Sequence, residues 1–198
     1  MRMKERKKFR WVALKLCLVL LAIFILQIIF PAITENFSLT ASEVWEKPWL
    51  LLSAIFLHGS ITHLLFNLFS LFLFGSFLER KIGAGRFIFV FLLTGIVASV
   101  AASFFYSSSL GASGAIYGAI GALVVISPFM PAFALGVPMP LIVAVIIWML
   151  ADLAGFSSFL QGTPGGIANA AHIAGLFSGI ALGIVLRKGL RERKMQER

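Results

Sequence analysis

Three long stretches of this chain, Pro48 to Leu78, Phe87 to Ala151 and Leu153 to Leu186, contain no Lys, Arg, Asp or Glu. A soluble fold must turn one side of each helix or sheet to water, and about a quarter of its residues are charged. Here 13% are charged and 60% hydrophobic, so the solvent for most of the chain is lipid. A helix needs roughly 20 apolar residues to cross a hydrocarbon core about 30 Å thick. On that measure the sequence predicts six membrane-spanning helices, near 11–31, 60–78, 87–106, 113–128, 139–155 and 167–187. The expected fold class is an all-α membrane bundle.

The net charge of +9 would suit a nucleic-acid binder if it formed one basic surface, but its placement argues against that partner. Arg2, Lys4, Arg6, Lys7, Lys8 and Arg10 precede the first span, Arg80, Lys81 and Arg86 lie between the second and third, and Arg187, Lys188, Arg191, Arg193, Lys194 and Arg198 follow the sixth. With six spans these segments share one side, whereas the other side carries Glu35, Glu43, Glu46 and Lys47. Positive charge marks the cytoplasmic side, so both termini are expected there, with the bilayer itself as a partner of the basic tails. The apolar run from Trp11 to Phe30 is longer than a signal-peptide core, and no Ala-x-Ala site follows it, so it reads as a retained helix. Cys17 is the single cysteine, which excludes an intrachain disulfide. The expected organisation is a basic N-terminus at 1–10, one membrane domain at 11–187 and a basic tail at 188–198. A compact chain without appended domains suits a prokaryotic plasma membrane.

Two segments depart from plain spans. The stretch 32–56 is too long for a turn and mixes polar residues with Trp45 and Trp49, which suits a segment lying partly in the interface, as a belt anchor or as a gate. The run Tyr106 to Gly111 is poor helix material, and the apolar helix after it extends only from Ser113 to Ser127. At 1.5 Å per residue such a helix is too short for the core. Its N-terminus is therefore expected below the outer surface, where irregular backbone survives only beside protein or a water-filled cavity.

Polar side chains within spans are costly and point to function by default. Ser113, in Gly111-Ala-Ser-Gly114, opens the short helix, and Gly114 and Gly118 form a GxxxG pair; the stretch reads either as helix packing or as the seat of a nucleophile. His172 lies near the start of the sixth span beside Gly175 and Gly179, also four apart. If the two small-residue faces meet, the imidazole reaches Ser113 as a general base. Tyr117, four residues after Ser113, shares its helix face and is placed either to stack on that imidazole or to fill core space. His63 and Asn67 are one turn apart on the second span, with His58 at its mouth. No carboxylate or thiol accompanies the histidines at zinc-site spacing, so no metal or other cofactor is expected, and the amide and imidazole serve better as donors to an oxyanion with the Ser113 N–H. Asp152 is the one acid within the predicted spans; it can orient His172 or pair near a helix end, and the residues favour a Ser–His dyad without it.

Three motifs occur in order: His58-x4-His63-x3-Asn67, Gly111-x-Ser113-Gly114, and Ala171-His172-x2-Gly175-x3-Gly179. With them, roughly residues 11–187 resemble a rhomboid intramembrane serine protease of the minimal six-helix type. The resemblance implies a rhomboid-like bundle with a short, recessed fourth helix and a long first external loop. It implies Ser113 as nucleophile, His172 as base, and His63, Asn67 and the Ser113 N–H as oxyanion site. It further implies Tyr117 packing on His172, with Asn169 and His58 as supporting polar groups. Trp49 matches the tryptophan of a family Trp-Arg pair whose arginine is replaced here by Leu50, leaving Lys47 as the nearest cation; Trp148 is a candidate for a fifth-helix gate. The substrates implied are other transmembrane helices, cut near the outer leaflet. A non-catalytic rhomboid-like protein that binds membrane helices is the alternative, although such relatives usually lack the serine or the histidine. A transporter would predict inverted repeats, and none is visible.

Overall fold

The computed structural model describes residues 9–163 and 168–196; the basic residues from Arg2 to Lys8 lie outside the described residues. Among the described residues five helices are long and apolar enough to cross a membrane, Val12–Ile29, Ile61–Ile82, Ala84–Phe105, Leu141–Leu160 and Asn169–Glu192, and a shorter apolar helix, Ser113–Ile126, lies among them. In chain order the helices are α1 (Val12–Ile29), α2 (Ala32–Phe37), α3 (Leu50–Ser53), α4 (Ile61–Ser70), α5 (Ser76–Ile82), α6 (Ala84–Phe105), α7 (Ser113–Ile126), α8 (Leu141–Leu160) and α9 (Asn169–Gln196). A π-helical turn, Leu71–Gly75, joins α4 to α5 as one span. The protein is a multi-pass integral membrane protein built as a helical bundle.

The expected spans are all helical, with shifted ends. The second runs to Ile82 rather than 78 because Glu79, Arg80 and Lys81 continue the helix. Glu79 is buried, and its Oε2 accepts the N–H of Ala13 at 3.0 Å. A carboxylate at the first turn of α1 answers both the unsatisfied N–H and the positive end of the helix. The last helix runs through Gln196 rather than ending near 187, since the basic tail is rich in good helix formers; the tail from 188 continues α9.

The helix α7 is the central post. Its buried residues include Ala115, Ala119, Ala122 and Leu123 together with Gly114, Gly118 and Gly121, so it is enclosed on all sides, as an all-round apolar helix must be. The small residues bring backbones together. A Cβ at Gly175 would land on the carbonyl oxygen of Gly114, and one at Gly179 on that of Gly118. The glycine pairs of α7 and α9 therefore face each other at backbone contact. On its other side α7 meets α6, where a Cβ at Gly118 would overlap Thr94.

The all-α bundle carries two short strand pairs in its connections. The 32–56 segment contains a strand β1 (Leu39–Thr40), and the approach to α7 contains β2 (Ser108–Ser109). They pair antiparallel, Leu39 opposite Ser109 and Thr40 opposite Ser108. Between α7 and α8, β3 (Pro131–Ala134) and β4 (Val137–Pro140) form a hairpin. Its turn residues Leu135 and Gly136 both have positive φ, 55° and 76°, as a two-residue turn of matching twist requires. The reason for both pairs is the same: irregular backbone near a bilayer has little water to satisfy it and pairs with itself. The 32–56 segment is thus a structured cap, with Leu50 1% exposed in a cluster that includes Leu39, Ala98 and Ala171. The position expected to be a family arginine is a core residue here, and Lys47 pairs with Glu43 at 2.8 Å. Trp45 and Trp49 are exposed, as interfacial tryptophans are.

Candidate active site

The backbone from Tyr106 to Ala112 leaves helical geometry after α6 and delivers Ser113 as the first residue of α7. Gly111 sits in this approach with φ 126°, a conformation other residues rarely adopt. A Cβ there would also stand 2.7 Å from Cε1 and 2.8 Å from Nε2 of His63. Only glycine lets that imidazole lie against the serine loop. The N-terminus of α9 is anchored by Tyr106, whose hydroxyl oxygen accepts the N–H of Ala170 at 3.1 Å. His172 follows less than one turn later.

With α7 and α9 at backbone contact, the two side chains meet: Ser113 Oγ lies 2.8 Å from His172 Nε2. Tyr117 stacks on the imidazole, with ring centroids 4.3 Å apart and planes 11° from parallel. The other ring nitrogen, Nδ1, lies 2.9 Å from Asp152 Oδ1, and the same oxygen accepts Asn169 Nδ2 at 2.7 Å. Asp152 is therefore in contact with the imidazole, although the sequence favours a dyad without it. The signal for it is its charge, the one charged side chain between Phe87 and Leu186.

The second span contributes the facing wall. Ser60 caps α4 by accepting the His63 N–H at 3.1 Å, and Asn67 Nδ2 donates to the His63 carbonyl oxygen at 2.8 Å. The side chains of His63, Asn67, Ser113 and His172 line one cavity of about 1050 Å³, which Trp148 also lines. Trp148 meets Phe74 edge-on, with centroids 5.8 Å apart. His58 lies behind His63, their rings edge to face at 5.1 Å. It is buried with neither ring nitrogen hydrogen-bonded, and burial, with the neighbouring His63 second, pushes its pKa down to about 4.

Gln27 of α1 holds that corner of the site, unforeseen from sequence. Its side chain accepts the His58 N–H at 3.0 Å and donates to the His58 carbonyl at 3.2 Å and to Thr34 Oγ1 at 2.8 Å. The amide thus ties the first span to the mouth of the second. Its one signal is an uncharged polar residue within an apolar span. Among the described residues no group of three His, Cys, Asp or Glu side chains is arranged to hold a metal ion.

A family model described as the Rhomboid domain matches residues 42–189. The chain is 40% identical over 147 residues to "Rhomboid protease GluP" of Bacillus subtilis, covering 73% of this chain and 26% of that protein. It is 32% identical over 143 residues to "RHOMBOID-like protein 4" of Arabidopsis thaliana, covering 71% and 34% respectively. Against "Rhomboid protease GlpG" of Yersinia pseudotuberculosis the identity is 27% over 145 residues, covering 71% and 49%. The chain thus spans half or less of the length of these relatives.

Proposed function

This chain belongs to the rhomboid family, and from that premise we propose that it is an intramembrane serine endopeptidase acting on transmembrane helices near the outer leaflet. The observation that carries the reading is the 2.8 Å separation of Ser113 Oγ and His172 Nε2 inside a cavity, the reach a general base needs. Ser113 Oγ attacks the scissile carbonyl carbon while its proton passes to His172 Nε2. The carbonyl oxygen becomes an oxyanion, which receives hydrogen bonds from the Ser113 N–H, from Asn67 and from His63. Collapse of this intermediate breaks the C–N bond, and His172 returns the proton to the leaving amine. Water then hydrolyses the acyl-enzyme by the same steps.

The substrate must unwind locally, because the peptide bonds of a helix are shielded by their own hydrogen bonds. Glycine or proline near the cut lowers that cost. The wall between the π-helical turn of the second span and α8, where Phe74 and Trp148 meet, is the proposed lateral gate. The basic flanks put both termini in the cytoplasm, and the Ser113 end of α7 toward the opposite surface.

The test is cleavage of a tagged single-span substrate with a helix-destabilised outer segment, by wild type, Ser113→Ala and His172→Ala, in mild detergent and in liposomes. Cleavage by wild type alone is the expected result, and fragment masses give the position of the cut. Equal background in all three, with several substrates, would favour a protein that binds membrane helices without cutting them.

A further inference from the structure

Asp152 belongs to neither the nucleophile nor the oxyanion wall, yet it touches both His172 and Asn169. It is 5% exposed, and no Lys or Arg occurs between Phe87 and Leu186 to neutralise it. A buried carboxylate without a cationic partner is costly and has to be held by hydrogen bonds. Two donors converge on one oxygen, Asn169 Nδ2 at 2.7 Å and His172 Nδ1 at 2.9 Å, while among the described residues the buried Oδ2 has no hydrogen-bond partner. The carboxylate is aimed at the ring nitrogen remote from the serine.

An ionised carboxylate only accepts hydrogen bonds. Nδ1 of His172 must then carry the ring proton, which leaves the lone pair of Nε2 facing Ser113 Oγ. The opposite tautomer would present an N–H to the serine and could not take its proton. From this we infer that Asp152, supported by Asn169, is a positioning residue that completes a Ser113–His172–Asp152 triad. It fixes the imidazole in its base-competent tautomer and stabilises the imidazolium formed when Ser113 attacks. The proton itself goes from Ser113 Oγ to Nε2 and from there to the leaving amine; the carboxylate stays ionised throughout. The inference rests on the protease reading above and departs from the dyad that the sequence favours.

Two measurements test it together. Protein labelled with ¹⁵N in its histidines, His172 being assigned by its loss in His172→Ala, is expected to show the Nδ1–H form of His172 with a strongly downfield proton; Asp152→Asn is expected to lose that proton signal and gain the Nε2–H form. In steady-state cleavage Asp152→Asn is expected to lower kcat by about 10²–10⁴-fold with KM changed less than about threefold, the signature of an interaction needed in the transition state alone. Merely structural fastening would leave the tautomer unchanged. If Asp152→Asn is recovered aggregated, the wild-type spectrum decides: an Nε2–H His172 overturns the inference. Wild-type cleavage matched by Asp152→Asn but abolished in Ser113→Ala overturns the triad and leaves the protease standing. Wild type no better than Ser113→Ala overturns the protease reading, and the triad with it.

Discussion

Asn67 has two amide hydrogens, one of them occupied by the His63 carbonyl at 2.8 Å. The second is the one available to a developing oxyanion, and removing it should weaken catalysis without dismantling the site. Asn67→Ala is expected to lower kcat by roughly 10²–10³-fold, whereas Ser113→Ala leaves almost no activity; equal residual rates in a quantified cleavage assay would contradict the assignment. His58 answers to pH in a different way. Its folded pKa of about 4 lies below the ordinary 6.5, so between those values the unfolded chain binds a proton that the folded chain refuses. Stability is thus fully present above about pH 6.5 and declines as pH falls toward 4. The thermal midpoint in detergent should drop across that window in wild type and drop less in His58→Phe. At this scale the histidines, Ser113 and Asn67 are legible in the sequence because polar side chains stand out in apolar spans. Asp152 is visible but ambiguous, because its role depends on whether α8 brings it to α9, a distance no spacing within one helix encodes.

Among the elements, α9 shows most clearly how sequence pattern becomes position. Its two inner glycines abut carbonyls of α7, so Gly175→Val must force two backbones apart. The expected loss lies at or beyond the upper end of the roughly 1–3 kcal/mol typical of overpacking, seen as a lowered midpoint or loss of the monodisperse peak on size exclusion. Gly189, in the same helix, is different: a Cβ there would meet nothing within 4 Å. Gly189→Ala should instead stabilise α9 by up to about 1 kcal/mol. The four-residue glycine spacing makes the α7–α9 contact readable in advance. The strand pairs are not. Leu39–Thr40 and Ser108–Ser109 are each two residues long, with no periodicity to detect, and Leu135-Gly136 lacks the Asn-Gly or Asp-Gly signal of a tight hairpin. The extended ends of α5 and α9 escape for another reason: hydropathy marks where lipid stops, and a helix can continue past that point.

For the whole molecule, the proposed orientation rests on charge, and it can be checked with thiols. In a Cys17→Ala background, Glu46→Cys should react with a membrane-impermeant maleimide on intact cells. Lys188→Cys should react only after permeabilisation; the reverse pattern would invert the topology and put Ser113 toward the other leaflet. The spans are readable because lipid imposes them on composition. The 32–56 segment folds as a cap and pairs with the serine approach through β1 and β2, a long-range contact that leaves no mark on local composition. The glycine contact between α7 and α9 has a mechanical consequence. Side chains can swap rotamers, but two backbones already touching have no slack, so Ser113 and His172, the proposed nucleophile and base, ride on a single stiff girder. The proposed side-chain oxyanion donors, His63 and Asn67, ride on α4, beyond which the span is interrupted by the π-helical turn at Leu71–Gly75. On the proposed reading that girder is an anvil, which holds the serine and its base still while an arriving helix is presented to them from the opposite wall.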